Sequence, residues 1–149
     1  MTEVNYNEVF NNVVSAEQQR RDRHIELADK VKAEVIEIGK ILNDVVEAGS
    51  FEDTTVSIDE TELRFDCCSE AIVITVDTDN EVKLVVEHQT IVADYEEDEL
   101  SMQKMTEEFL AQYDAGKEIE FVKDASYYKV DEVRQYVVEK AAQMYVSNN

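Results

Sequence analysis

The sequence contains no proline and no tryptophan, and it has only three glycines, two cysteines and two histidines among 149 residues. Without proline there is no PxxP ligand, and three scattered glycines form no glycine-rich phosphate loop. No apolar run approaches the roughly 20 residues that span a bilayer. The N-terminus lacks the charged-then-apolar pattern of a signal peptide. We therefore expect a cytoplasmic protein with no membrane contact.

The two cysteines, Cys67 and Cys68, are adjacent, which excludes the spread, even-numbered set of a disulfide framework. Neighbouring side chains of a strand point to opposite faces, so we predict one thiol in the core and one outside. We favour the interpretation of two reduced thiols, with a vicinal redox switch as the alternative.

The sequence offers no arrangement typical of a catalytic or metal site. Neither His24 nor His88 has a partner at ligand spacing. The stretch from Asp77 begins like a calcium loop, but its sixth position is Val82 where glycine is needed, and its twelfth is His88 where glutamate is needed. No nucleophile elbow is present. We predict a protein that is not an enzyme, with no catalytic residues, no cofactor and no metal.

The N-terminal third has helical periodicity. We predict a short helix from about Asn5 to Val14, a capping box that begins at Ser15, and one long helix over about 16–48 that ends near Gly49 or kinks at Gly39. A helix of that length, about 50 Å, overhangs a 149-residue body whose radius of gyration is near 15 Å. We therefore expect one α+β domain over 1–149 in which residues 1–30 project as an oligomerisation or partner-binding arm.

A coiled-coil-like spacing of three and four residues runs along the long helix. We predict that it pairs two copies as a homodimer through Ala28, Val31, Val35 and Ile38.

The middle third alternates with a period of two and has short polar joints, which predicts antiparallel neighbours with one buried face. We predict a four-stranded antiparallel meander over about 51–93. Met102, Met105, Phe109, Leu110 and Tyr113 form a stripe that predicts a helix ending at Gly116, followed by a short extended piece at Ile119 and Phe121 and a final helix from about Val130. The fold class is therefore α+β, with N-terminal helices and two C-terminal helices flanking the sheet.

The charge is the most unusual property of the chain. Its 35 acidic and 14 basic residues give a formal net charge of -21, and residues 49–99 hold 16 of the acids and two of the bases. This excess exceeds the charge of about 2 to 8 that solubility usually requires. We predict that a basic protein surface binds the following carboxylates: Asp59, Glu60, Glu62, Asp66, Glu70, Asp77, Asp79, Glu81, Glu96, Glu97, Asp98 and Glu99.

Duplex DNA carries one negative charge per about 1.7 Å of axis, so an acidic protein surface competes for the lysines and arginines of a nucleic-acid-binding groove. In its composition alone, being small, rich in Asp and Glu, tyrosine-bearing and poor in proline, the chain resembles phage-encoded acidic mimics that inhibit restriction, CRISPR or polymerase machinery. The resemblance implies a non-enzymatic inhibitor in the host cytoplasm that contacts no nucleic acid itself. Three alternatives stay open: a solvated face that only aids solubility, a small dimeric chaperone or adaptor similar to those that hold secreted effectors, and a phage assembly protein.

Overall fold

The computed structural model describes residues 3–94 and 99–149. The elements in chain order are α1 (Tyr6–Gly49), β1 (Thr54–Ile58), β2 (Glu62–Cys67), β3 (Glu70–Asp77), β4 (Lys83–Asp94), β5 (Glu99–Tyr113), β6 (Ile119–Lys123), β7 (Ser126–Lys129) and α2 (Val130–Asn148). The general α+β class is as predicted, whereas the numbers of strands and helices are not.

The strands form one antiparallel sheet in which each strand pairs with the next in sequence. The predicted meander over about 51–93 corresponds to β1 to β4, but three further strands continue it, so the prediction of a four-stranded sheet is wrong. Because successive strands alternate in direction, the β1–β2, β3–β4 and β5–β6 turns lie at one end of the sheet. We call this end the turn end.

The predicted helix from Met102 to Tyr113 is instead β5, so the prediction of two C-terminal helices is wrong. Met105, Phe109 and Tyr113 are four residues apart, and this spacing places them on one face of a strand as well as on one face of a helix. The segment forms a strand because it pairs with β4 along twelve residues, from Leu110 opposite Lys83 to Glu99 opposite Asp94. The other C-terminal elements are as predicted, with β6 at Ile119 and Phe121 and α2 from Val130.

The N-terminal helix is uninterrupted, so the predicted break at Ser15 is wrong. The N-cap is Asn5, whose side-chain oxygen accepts a hydrogen bond of 3.1 Å from the Glu8 backbone NH. The helix also passes straight through Gly39. A Cβ at that position would lie 2.5 Å from Ile58 Cδ1, so the glycine permits close packing of α1 on β1 and does not cause a kink.

One core joins the two helices to one face of the sheet. The strands contribute Leu63, Phe65, Cys67, Ile72, Ile74, Leu84, Val86, Phe109 and Phe121, and α2 contributes Val133, Val137, Ala141 and Met144. The α1 residues in this core include Ala28, Val31, Val35 and Ile38, each at most 5% exposed. The side chains that we assigned to a homodimer seam are therefore buried within a single chain, because their apolar stripe packs on the chain's own sheet.

The path of α1 relative to the sheet fixes where its first half lies. His24 Nε2–H donates a hydrogen bond of 2.9 Å to the carbonyl of Thr78 in the β3–β4 turn. The helix then crosses the sheet and ends at Gly49, just before β1. Residues Tyr6–Arg23 precede this first contact, so they extend past the turn end. We call them the arm.

An ion pair ties α2 to α1. The Arg134 guanidinium donates from Nε to Glu34 Oε1 at 2.5 Å and from Nη2 to Glu34 Oε2 at 2.8 Å. Glu34 is 8% exposed. A bidentate pair of this kind fixes both position and orientation.

We expect Arg134→Ala to lower the free energy of unfolding by about 3 kcal/mol, because it leaves the Glu34 carboxylate buried without a partner. Glu34→Gln should cost less, since Arg134 keeps partial access to water. Urea unfolding followed by circular dichroism measures both values. The matched control is Glu37→Gln, whose carboxylate pairs only with Lys40 at the surface and which should cost below about 0.5 kcal/mol. Equal losses in Arg134→Ala and the control would contradict this assignment.

Candidate functional site

Six of the predicted partner-binding carboxylates gather at the turn end. We call them the turn acids, and they are Asp59, Glu60, Glu62, Asp77, Asp79 and Glu81. They lie in or beside the β1–β2 and β3–β4 turns, because short polar joints connect consecutive strands there. The topology thus brings together residues that are up to 22 positions apart in the sequence.

Two turn acids hold their own loops in shape. Asp59 Oδ1 accepts hydrogen bonds from the backbone NH groups of Thr61 and Glu62, at 2.7 and 2.8 Å, and from the Thr61 hydroxyl. These bonds lower the pKa of Asp59, so its charge persists in mildly acidic solution. Asp77 Oδ1 accepts from the Asp79 NH at 3.0 Å. The β1–β2 and β3–β4 turns are therefore braced by Asx-type hydrogen bonds.

Three of the remaining turn acids are open to solvent. Glu60, Asp79 and Glu81 are exposed, and none of their carboxylates takes part in a salt bridge within the described residues. They are the carboxylates most available to a basic partner.

Other predicted partner-binding residues do not join this group. Asp66 accepts from Arg64 Nε at 3.0 Å on the outer face. Glu70 points to the helix side, where His88 Nε2 lies 3.2 Å away and the Asn148 amide donates to it. Glu99 is exposed at the start of β5, away from the turn end. Glu96, Glu97 and Asp98 lie outside the described residues.

The outer face of the sheet, which the helices do not cover, has balanced charges. Lys83 Nζ lies 3.3 Å from Glu108, Lys104 Nζ lies 3.7 Å from Glu87, and Arg64 pairs with Asp66. Each cation faces a carboxylate on a neighbouring or the same strand. These pairs neutralise much of the acidic charge of this face, whereas Glu60, Asp79 and Glu81 at the turns have no such pairing within the described residues.

The basic cluster of the arm lies next to one of these turns. A groove of about 240 Å³ separates the two and is lined by Arg20, Arg21, His24, Ile25, Asp79 and Asn80. Arg20 donates to Glu17 at 2.6 Å, and Arg21 Nε lies 3.5 Å from the same residue. The two arginines thus pair locally along the helix, at i+3 and i+4 spacing.

A second cluster, which the sequence did not reveal, surrounds Glu107. The Tyr136 hydroxyl donates to one carboxylate oxygen of Glu107, Lys123 Nζ lies 2.9 Å from that oxygen, and Lys140 Nζ lies 3.3 Å from the other. Burial alone raises the pKa of Glu107, but the hydroxyl and the two ammonium groups outweigh it and bring the pKa to about 2. Burial of the Tyr136 hydroxyl, together with its hydrogen bond to Glu107, raises the pKa of Tyr136.

The Glu107 cluster connects α2 to β5 and β6. The helix predicted over this segment would place the adjacent residues Glu107 and Glu108 about 100° apart around its axis. They are in fact adjacent on a strand, with Glu107 towards the helices and Glu108 towards the outer face. Glu107, Phe109 and Ala111 are two residues apart, and this period-two spacing was the sequence feature that could have indicated a strand with Glu107 on its inner face. With its oxygens held by three donors, Glu107 is a structural anion and a poor general base.

The two adjacent thiols differ in their burial. Cys67 is buried and Cys68 is exposed, as we predicted. Burial raises the pKa of Cys67 to about 11, so its thiol is protonated at neutral pH. Cys68 lies in the β2–β3 turn with a φ of 56°. Within residues 3–94 and 99–149, no group of three or more His, Cys, Asp or Glu side chains is arranged to hold a metal ion.

An apolar cleft of about 270 Å³ opens between the C-terminal halves of the two helices and the start of the sheet. Its lining includes Leu42, Val46, Phe65, Val138 and Ala141. The Phe51 and Tyr145 rings stand edge to face at its border, with centroids 4.8 Å apart. The cleft has the size and lining to hold one apolar side chain or a small apolar ligand.

Comparisons with known proteins found no matching family model, no similar curated protein and no similar solved structure. In the described part of the chain, neither helix has the length and apolar character that a membrane crossing requires.

We expect Glu107→Gln to lower the free energy of unfolding near pH 7 by on the order of 2–3 kcal/mol. The folded pKa of about 2 is below the ordinary 4.5, so this stabilisation is present above pH 4.5 and is lost as the pH falls towards 2. The difference between wild type and variant should therefore shrink on acidification in urea unfolding. Glu108→Gln, exposed on the opposite face, is the control and should show little difference at any pH. A gap that is constant with pH would contradict the network.

Proposed function

We propose that the protein is a non-enzymatic acidic binding protein of the DNA-mimic type, which acts in the cytoplasm by occupying a basic nucleic-acid-binding groove of a partner protein. The observation that supports this most directly is the exposure of Glu60, Asp79 and Glu81 at one end of a net -21 chain. The partner cations take the place of counterions, and no chemistry or cofactor is involved.

The number of turn acids per unit length of the sheet edge is of the same order as the charge density of a nucleic acid. Neighbouring strands lie about 4.8 Å apart, so the edge from β1 to β4 is about 14 Å wide. Six carboxylates along this edge give about one charge per 2.4 Å, compared with one per about 1.7 Å of duplex axis. The side-chain bonds of Asp59 and Asp77 hold the turns in place before binding, which reduces the ordering cost of association.

A second candidate function, a small chaperone or adaptor, is favoured by the apolar cleft. A client segment that inserts one apolar side chain between Phe65 and Ala141 would bind through buried area and not through charge. Salt should then leave the affinity almost unchanged. The two functions therefore differ in how strongly binding depends on salt, and a single salt titration measures this dependence.

We expect the protein to displace a labelled DNA duplex from at least one basic enzyme among a restriction endonuclease, a guide-loaded CRISPR nuclease and a bacterial RNA polymerase. The triple variant Glu60→Gln/Asp79→Asn/Glu81→Gln should weaken displacement at least about tenfold, because it removes the exposed carboxylates of the turn end. Added salt should weaken the wild type more steeply than the variant.

The control variant Asp44→Asn/Glu47→Gln/Glu139→Gln removes the same charge from exposed helix positions away from the turn end. It should displace the duplex almost as well as the wild type. Equal weakening in both variants would mean that only the total charge matters, and failure of the wild type on every enzyme would remove the support for mimicry. Salt-independent binding of a client protein that is abolished by Ala142→Trp, at the border of the cleft, would favour the second candidate.

A further inference from the structure

The arm is a helix that borders the β3–β4 turn at Arg20 and Arg21 and is otherwise exposed, with no other described part of the chain packed against it. Residues Tyr6–Arg23 extend about 27 Å along the helix axis, and all of their side chains except the half-buried Glu17 are exposed. A single helix of this length is only marginally stable in water, because most helical stability in proteins comes from packing of an apolar face.

The arm has such an apolar face. Tyr6, Val9, Phe10 and Val13 are spaced by three and four residues, so they lie on one side of the helix. Their exposed fractions are 78%, 51%, 68% and 64%. From the area that aromatic side chains bury, this stripe exposes on the order of 400 Å². That is as much as the largest apolar patch of a typical monomer, about 300–600 Å².

The charge of the arm differs from that of the remaining chain. Residues 3–23 contain Glu3, Glu8, Glu17 and Asp22 against Arg20, Arg21 and Arg23, so the arm is nearly neutral. The acids without neighbouring bases, Glu3 and Glu8, are at its start, and the three arginines are at its end. A second arm laid antiparallel places the acidic start of one against the basic end of the other, whereas a parallel pair sets arginines against arginines.

We propose that the arm binds the arm of a second copy of this chain, in an antiparallel helix pair centred between Phe10 and Val13, where the apolar faces of the two arms meet. Two such stripes, with the stems of flanking polar side chains, bury an area near the lower limit of about 1,200 Å² for specific interfaces. Because an interface at this lower limit is typical of weak association, the pairing is tested at micromolar concentrations. The interface uses the first half of α1 and leaves Ala28 to Ile38 in the core of each chain.

The pairing also positions the turn acids. Each arm leaves its body at the turn end, so an antiparallel pair of arms brings two turn ends to opposite ends of one helix pair. The -21 charge of each body repels the other, and the length of the arms keeps the bodies apart. The dimer does not depend on the proposed mimicry, because its interface contains none of the turn acids.

Sedimentation velocity of the full chain over micromolar concentrations tests the pairing. The wild type should reach a dimer, and Phe10→Gln/Val13→Gln should raise the dissociation constant at least about tenfold, because glutamine keeps the helix propensity and removes the apolar face. The control Leu100→Gln/Met105→Gln removes exposed apolar side chains from β5 and should leave the dimer unchanged. Circular dichroism and thermal unfolding confirm that each variant keeps its folded body.

Charge reversal tests the orientation. Glu3→Lys should weaken the dimer, and adding Arg20→Glu in the same chain should restore it. In an antiparallel pair centred between Phe10 and Val13, residue 3 of one copy lies level with residue 20 of the other. A wild type that stays monomeric, or a dimer that resists Phe10→Gln/Val13→Gln, overturns the proposal. Loss of the dimer in the Leu100→Gln/Met105→Gln control would assign the contact between copies to β5 instead of the arm. If the second charge reversal does not restore the dimer, the antiparallel arrangement is excluded.

Discussion

The arrangement of the whole molecule depends on the packing of one face of α1, from Ala28 to Leu42, on the sheet. This face recurs at steps of three and four residues and continues through the close contact at Gly39. Because α1 is one uninterrupted helix, fixing its second half also fixes the direction of its first half. The arm therefore leaves the body at the turn end, and the arginines of the arm come to lie beside the β3–β4 turn.

The same topology separates the acids that are neutralised from those that are not. On the flat outer face, neighbouring strands bring lysines and arginines within reach of carboxylates, and between helix and sheet Glu107 is held by two lysines. Turns have no neighbouring strand on their open side, so Glu60, Asp79 and Glu81 remain exposed and form no salt bridge within the described residues. These three side chains thus add unpaired carboxylates to the surface of a -21 chain.

The sequence predicted the first four strands, the last helix and the separation of the two thiols, because clear alternation and clear helical spacing leave one solution. It failed at β5, where Met105, Phe109 and Tyr113 satisfy both periods and only the long pairing with β4 decides. It also failed at Ser15, which has the residues of a capping box but lies inside a longer helix that Asn5 caps. For the site, six of the twelve predicted acids lie in or beside the β1–β2 and β3–β4 turns, but a single sequence does not show the ion pairing across strands that neutralises others.

A backbone amide NMR titration of the full chain with a decalysine peptide at low salt tests the central claim that the turn end is the anionic surface available to a basic partner. The claim predicts that chemical shift changes concentrate at the β1–β2 and β3–β4 turns, from Asp59 to Glu62 and from Asp77 to Glu81. Changes spread evenly over both helices and the outer face of the sheet would contradict it, since they would mean that the charge acts only as a diffuse cloud.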